Sequence, residues 1–148
     1  AWATALLNRL LYQVICMSSA PASLNTVIVE DNPALLELLS GMLGGIERVE
    51  VVGTAASEAE AISMIRSTRP RLAIVDLELR AGTGLKVLGA IQRNAADFGA
   101  PRTVVFSNHA HPIVKSRCLA LGAAAFFDKS FQMDELLEFV QALAESTA

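Results

Sequence analysis

Hydrophobic and polar positions follow two alternating patterns from residue 24 onward. Short, continuous apolar runs are typical of strands that are buried on both faces of a parallel sheet. Between them lie longer segments whose apolar residues recur every three or four positions, as in amphipathic helices. The predicted strands are residues 26–29, 49–52, 72–75, 104–106 and 124–127.

Polar and glycine residues mark the ends of the predicted helices. Asn32-Pro33 supplies a cap and a first helical residue, and Gly44-Gly45 ends that helix. Ser57 and Glu60 have the spacing of a capping box. The expected apolar stripes of the five helices are Leu35, Leu38, Leu39 and Met42; Ala61, Ile62 and Ile65; Leu85, Leu88 and Ile91; the apolar positions of 112–121; and Leu136, Leu137, Val140 and Leu143.

Five strand–helix units in strict alternation predict an α/β fold, a doubly wound five-stranded parallel sheet with helices on both faces. Folds of this class bind ligands outside the carboxyl ends of the strands, at the point where the strand order reverses. No internal repeat or low-complexity region interrupts the pattern.

Residues 1–23 do not share this alternation and are predicted to be an N-terminal extension of a domain that covers 24–148. Apolar residues from Trp2 to Ile15 recur at helical spacing, but the stretch is too short to span a bilayer and does not resemble a secretory signal. The preferred hypothesis is that Met17 begins the native protein and that residues 1–16 come from upstream or were added for expression. The alternative is an interaction helix whose stripe packs against a neighbouring protein.

Composition narrows the class of function. With 53% hydrophobic and 18% charged residues and a formal net charge of −3, the chain lacks the basic face that direct nucleic-acid binding requires. Cys16 and Cys118 have no metal-site or disulfide-framework spacing, so a reducing cytoplasm is the expected compartment. No membrane association is expected.

Groups with chemical reactivity follow four of the five predicted strands. They are Glu30 and Asp31 after the first, Asp76 after the third, Ser107 after the fourth and Lys129 after the fifth. Three neighbouring carboxylates require cations to offset their repulsion, and Mg²⁺ with oxygen ligands suits such a site. With Mg²⁺ and Lys129 in place, Asp76 can act as a nucleophile towards phosphorus.

These residues, in this order, resemble the receiver domain of bacterial two-component response regulators, over residues 26–144. The resemblance implies a flavodoxin-like sheet in the order 2-1-3-4-5, as in the single-domain chemotaxis receiver. It implies that Asp76 is the phosphoacceptor and that Ser107 and Lys129 bind the phosphoryl oxygens. Asp31 and Asp76 would hold Mg²⁺, and Glu30 would act through a water.

Further residues take roles from the same resemblance. The backbone carbonyl of Glu78 would complete the Mg²⁺ ligands, and Phe126 would be the aromatic switch that turns inward with Ser107. The side chains of Glu78 and His109 would tune dephosphorylation. Asn108 departs from the family pattern, which usually has a smaller residue after Ser107, and could narrow access to the phosphoryl site.

The resemblance implies a signalling switch with no enzymatic activity beyond Mg²⁺-dependent self-phosphorylation and self-dephosphorylation. Its partners would be a sensor histidine kinase or phosphotransfer protein, which supplies the phosphoryl group, and a downstream protein. The downstream protein would bind the face formed by the helix after the fourth strand, the fifth strand and the last helix. A dimer of the chain is also possible. The protein could be a stand-alone receiver, which we favour, or part of a longer regulator whose output domain is absent.

Three alternatives differ in class. A docking module that is independent of phosphorylation would keep the fold, but all the acceptor-site residues are present. A phosphatase with an Asp-x-Asp nucleophile is disfavoured because Glu78 stands where its general-acid aspartate would be. A flavin binder is disfavoured because Glu30 and Asp31 would repel the flavin phosphate.

Overall fold

Five strands form one sheet at the centre of the molecule. A computed structural model describes residues 2–18 and 23–146, with side chains for 2–11 and 23–146. The strands are β1 (Leu24–Val29), β2 (Val49–Ala55), β3 (Leu72–Val75), β4 (Arg102–Ser107) and β5 (Ala125–Asp128). They are parallel throughout and lie in the order β2-β1-β3-β4-β5. The predicted fold class and strand order are therefore confirmed.

Helices cover both faces of the sheet. They are α2 (Pro33–Gly44), α3 (Glu58–Thr68), α4 (Gly84–Arg93), α5 (Pro112–Ala120) and α6 (Met133–Ser146), with a 3-10 helix at Ala95–Phe98. A further helix, α1 (Trp2–Ser18), precedes β1. Buried side chains of α2 and α6 share one core cluster with the sheet. Those of α3, α4 and α5 contribute to two clusters on the opposite face. This arrangement leaves the carboxyl ends of the strands open at one edge.

The predicted caps form hydrogen bonds. Asn32 Oδ1 accepts from the backbone N–H groups of Ala34 and Leu35, at 3.0 and 3.2 Å. Ser57 Oγ accepts from Glu60 N–H at 3.2 Å, and a Glu60 carboxylate oxygen accepts from Ala56 N–H. These bonds satisfy amides that have no partner within their own helix.

The apolar stripe expected for α2 is only partly correct. Leu39 is buried and Leu35 is partly buried, as expected, but Leu38 and Met42 are exposed. Leu43 is buried instead, because it lies four residues after Leu39 and faces the sheet with it. Leu38 and Met42 lie one position earlier and face to the side. The predicted limits of the first, second, fourth and fifth strands were each wrong by one or more residues, and the 3-10 helix was not predicted.

The N-terminal segment forms a helix, α1, whose described side chains are exposed. Among residues 2–11, its exposed large apolar side chains are Trp2, Leu6, Leu7, Leu10 and Leu11. Residues 1 and 19–22 and the side chains of 12–18, including those of Cys16 and Met17, lie outside the description. The start at Met17, the interaction helix and the domain boundary at residue 24 stay predictions.

In the parts of the chain that the structure describes, no helix is both long enough and apolar enough to cross a membrane.

Candidate functional site

The backbone of the sheet places the candidate site at the carboxyl ends of its strands. Asp76 N–H donates to Val29 C=O at 2.9 Å, and Lys129 N–H donates to Ser107 C=O at 3.1 Å. Glu30 is held in the same way by a bond from its N–H to β2. Glu30, Asp76 and Lys129 thus continue the hydrogen-bonding pattern of the sheet just beyond their strands. This pattern fixes the backbone position from which each side chain extends.

Lys129 joins two buried carboxylates. Its Nζ donates to Asp76 Oδ2 at 2.7 Å and to Glu30 Oε1. The side chains of Lys129, Asp76 and Glu30 are only 12%, 7% and 3% exposed. Such a buried group holds its charges only because they are paired, since removal of one partner leaves an uncompensated charge in a poorly solvated place.

Glu30 also caps the turn that follows it. Its Oε2 accepts from the N–H groups of Asp31 and Asn32, at 2.8 and 3.2 Å. Burial raises the pKa of Glu30 above 4.5, although the hydrogen bonds from Lys129 and Asn32 oppose that shift and the charge of Asp76 adds to it. The single positive charge of Lys129 therefore does not fully offset the negative charges of the two buried carboxylates.

The hydrogen bonds keep Lys129 protonated. Burial alone lowers the pKa of its ammonium, but the bonds to the carboxylates of Asp76 and Glu30 outweigh burial and raise the pKa above 10.5. Lys129 is therefore a fixed positive charge at neutral pH, next to Asp76.

Three carboxylates form a cluster of oxygen ligands. Atoms of Glu30, Asp31 and Asp76 lie within 4.8 Å of one another. Asp31 is half-buried, and no donor within residues 2–11 and 23–146 pairs with its carboxylate. A set made only of oxygens and short of positive charge fits a small divalent cation such as Mg²⁺.

Ser107 is fully buried at the end of β4. Its Oγ accepts from His109 N–H at 3.2 Å. Within the described part of the chain no acceptor pairs with its hydroxyl proton. The Ser107 hydroxyl can therefore donate to an oxygen of a bound group.

The loop after Asp76 is held closely against the start of α4. Glu78 N–H lies 3.4 Å from Asp76 Oδ1, Gly84 N–H donates to Leu77 C=O at 3.0 Å, and Glu78 pairs with Thr83 across the loop. A Cβ added at Gly84 would lie 2.1 Å from the Asp76 carbonyl oxygen. Only glycine lets the helix approach the backbone of Asp76 so closely.

Replacing Gly84 with alanine is expected to destabilise the protein by about 1–3 kcal/mol, the usual cost of overpacking. The new methyl group meets backbone atoms that cannot rotate away, at Asp76 and Leu77. Urea unfolding measures the effect.

Gly89→Ala in the same helix is the matched control. Its methyl group would meet only the end of the Arg93 side chain, at 3.4 Å. This variant should gain up to about 1 kcal/mol from the better helix propensity of alanine. Equal stability of the two variants would contradict the close approach at Gly84.

Glu78 and His109 meet at the exposed edge of the site. His109 Nε2 pairs with a carboxylate oxygen of Glu78, and the two side chains are 51% and 72% exposed. The sequence placed both residues beside Asp76 but did not predict that they contact each other. Asn108 is also exposed there, and its Oδ1 accepts from Ser130 Oγ at 3.4 Å.

Phe126 lies in β5, away from these polar groups. Its partly buried ring packs against the cluster that includes Leu88 and Cys118, and Lys115 Nζ lies 5.7 Å from the ring centroid. Phe126 pairs in register with Val105, two residues before Ser107. Phe126 therefore lies in the strand next to the one that ends at Ser107.

Two features of the site were missed from the sequence. The bond between Lys129 and Glu30 joins residues 99 positions apart, and no local pattern indicates it. The role of Gly84 had a signal, since a glycine shortly after a reactive strand-end residue often marks a close backbone approach.

A family model described as "Response regulator receiver domain" matches residues 26–141. Two curated relatives are 31% identical: protein-glutamate methylesterase/protein-glutamine glutaminase 3 of Anaeromyxobacter dehalogenans, over 72% of this chain, and a putative transcriptional regulator of Pseudomonas aeruginosa, over 75%. The chain spans only 30% and 52% of the lengths of those two relatives.

Solved structures share the fold. The signal receiver domain of the putative response regulator NarL from Mycobacterium tuberculosis has a TM-score of 0.74 at 26% identity, covering 84% of this chain and 98% of that one. The phosphorylated cyanobacterial phytochrome response regulator RcpA has a TM-score of 0.71 at 25% identity, covering 85% and 94%.

Proposed function

The chain belongs to the response regulator receiver domain family, and on that basis we propose that it is a signalling switch controlled by phosphorylation of Asp76. The observation that carries the proposal is the pairing of Lys129 with both Asp76 and Glu30 at the carboxyl ends of the strands. It supplies a nucleophile, a fixed cation and an incomplete oxygen ligand set in one place.

The chemistry is a phosphoryl transfer. A carboxylate oxygen of Asp76 forms a bond to phosphorus while the bond from phosphorus to the donor breaks, and the electron pair of that bond leaves with the donor. Lys129 and the free hydroxyl proton of Ser107 stabilise the charge on the phosphoryl oxygens. Glu30, Asp31, Asp76 and the backbone carbonyl of Glu78 would hold Mg²⁺, which neutralises further charge on the phosphoryl group.

The finer assignments follow from the family. We propose that a histidine kinase or phosphotransfer protein supplies the phosphoryl group and that the face formed by α5, β5 and α6 binds the downstream protein. Phe126 would couple Ser107 to that face, and the Glu78–His109 pair would control access of water to the acyl phosphate. A cytoplasmic location stays a prediction.

A small phosphodonor tests the proposal directly. The protein is incubated with acetyl phosphate and Mg²⁺, and intact mass spectrometry measures the addition of one phosphoryl group. Hydroxylamine should release it, since it would be an acyl phosphate, and chelation of Mg²⁺ should prevent its formation. The absence of any mass increase with Mg²⁺ present would overturn the proposal.

Asp31→Asn is expected to weaken Mg²⁺ binding by about tenfold or more, because Mg²⁺ affinity depends on the charge of its oxygen ligands. Isothermal titration calorimetry measures the affinity without any phosphodonor. Asp134→Asn, at an exposed position in the first turn of α6, is the control and should leave the affinity unchanged. Equal affinities in the two variants would remove Asp31 from the metal site.

A further inference from the structure

A groove of about 290 Å³ lies between α3, α4 and α5. Its apolar lining includes Ile62 of α3, Leu85 of α4 and Leu121 after α5. None of the residues that line it belongs to the carboxylate–lysine site. The proposed phosphorylation chemistry leaves this groove without a role.

Gly89 opens the middle of the groove. It is a buried glycine within α4, where it costs about 1 kcal/mol relative to alanine. Internal packing does not require it, because a Cβ there would meet only the end of the Arg93 side chain, at 3.4 Å. The missing side chain instead leaves room for a group that approaches from outside.

Three cations border the apolar lining: Lys86, Arg93 and Arg117. All three side chains are exposed, and none of them forms an ion pair with a side chain of residues 2–11 or 23–146. The one acidic residue that lines the groove is Glu58. The groove is therefore positively charged in a chain whose net charge is −3.

The helices of the two faces carry opposite charges. On one face, the charged side chains of α2 and α6 are all acidic: Glu37, Asp134, Glu135, Glu138 and Glu145. The helices of the other face, α3, α4 and α5, have mostly basic ones: Arg66, Lys86, Arg93, Lys115 and Arg117, against Glu58 and Glu60. An acidic partner is attracted to the groove side and repelled from the opposite side.

We propose that the groove between α3, α4 and α5 docks an acidic amphipathic helix of a partner protein. The apolar stripe of such a helix would enter over Gly89, and its flanking carboxylates would meet Lys86, Arg93 and Arg117. A helix of this kind buries apolar area and also pairs the three cations, which a simple anion does not. Nucleic acid fits less well, because its phosphates would pair the cations but would bring no apolar stripe to Ile62, Leu85 and Leu121.

A synthetic peptide of about 18 residues, long enough to form a helix, serves as the probe. It carries leucines at helical spacing and glutamates elsewhere, and a second peptide of the same composition has the leucines out of register. Backbone NMR of the labelled full chain is expected to show shifts at Ile62, Leu85, Gly89 and Leu121 with the first peptide only. The Asp76→Asn variant should bind the first peptide as tightly as the unaltered protein. A failure to bind the peptide can therefore be told apart from a failure to be phosphorylated.

Charge reversal provides matched variants. Arg93→Glu with Arg117→Glu should weaken peptide binding by about tenfold or more, because like charges then face each other. Arg71→Glu with Arg102→Glu changes the net charge equally at exposed positions at the opposite ends of the strands and should leave binding nearly unchanged. Gly89→Leu should weaken binding by filling the groove.

Three results would overturn the proposal. One is the absence of shifts at millimolar peptide, and another is equal weakening by both charge-reversal pairs, which would reflect net charge alone. The third is tighter binding at the same residues by a mixed-sequence single-stranded oligonucleotide, which would show that the cations bind phosphate.

Discussion

Asp76→Asn is expected to take up no phosphoryl group from acetyl phosphate under conditions that fully modify the unaltered protein. Asparagine has nearly the same shape and can still accept from Lys129, so the fold and the position of the side chain should be retained. Its amide is not a nucleophile at neutral pH, because its nitrogen lone pair is delocalised and it carries no negative charge. Intact mass spectrometry measures the loss, which should be complete.

Asp97→Asn is the matched control. Asp97 lies exposed in the 3-10 helix, remote from the carboxyl ends of the strands, and its variant should be modified as readily as the unaltered protein. Urea unfolding of both variants separates a lost nucleophile from a lost fold. Phosphoryl uptake by a folded Asp76→Asn protein would show that another residue is the acceptor.

Lys129→Met is expected to destabilise the protein by about 3–5 kcal/mol at pH 7 without Mg²⁺, the usual result of breaking a buried ion pair from one side. Methionine keeps the apolar stem but leaves the carboxylates of Glu30 and Asp76 without their shared cation. Urea unfolding measures the loss. Added Mg²⁺ should restore part of the stability, because a cation that binds only the folded state stabilises it.

The pH dependence of Lys129→Met has a definite sign. Burial already raises the pKa of Glu30, and loss of the Lys129 hydrogen bond raises it further. A folded state that binds more protons than the unfolded state loses stability as pH rises. The deficit of the variant should therefore be small below pH 4.5 and grow as pH rises through the folded-state pKa of Glu30.

In alkaline solution the difference in stability between Lys129→Met and the unaltered protein should shrink again. The pKa of Lys129 is raised in the folded protein, so its contribution is present below pH 10.5 and is lost as pH rises through the folded-state pKa. Lys86→Met, which removes an exposed lysine, should stay within about 0.5 kcal/mol of the unaltered protein. A pH-independent deficit in Lys129→Met would mean that lost packing, and not charge, causes it.

The fold could be predicted because its signals are local and repeat along the chain. Continuous apolar runs such as 72–75 predict buried strands, and the caps at Asn32 and Ser57 mark where helices begin. The limits of the strands were less accurate because polar residues such as Arg102 and Thr103 can still join the ladder. The rotation of α2 about its own axis decides which of its residues face the sheet. Because α2 has apolar residues on several sides, its sequence does not specify that rotation.

For the candidate site, the sequence could predict which residues approach one another but not how they bond. Strand order alone brings Glu30, Asp76 and Lys129 to one edge. That Lys129 bonds both carboxylates, and that His109 reaches Glu78, depends on side-chain rotamers and on distances between strands, which no sequence spacing specifies. The roles of these residues came from the family resemblance.

The bond between Glu30 and Lys129 has a consequence for synthesis on the ribosome. The two residues are 99 positions apart, so the acidic end of β1 emerges long before the ammonium that Glu30 contacts. Because chains are made from the N-terminus, the carboxylates that follow β1 and β3 leave the exit tunnel before the lysine that follows β5. The pairing of Lys129 with Glu30 and Asp76 is therefore among the last contacts of this site that the growing chain can form.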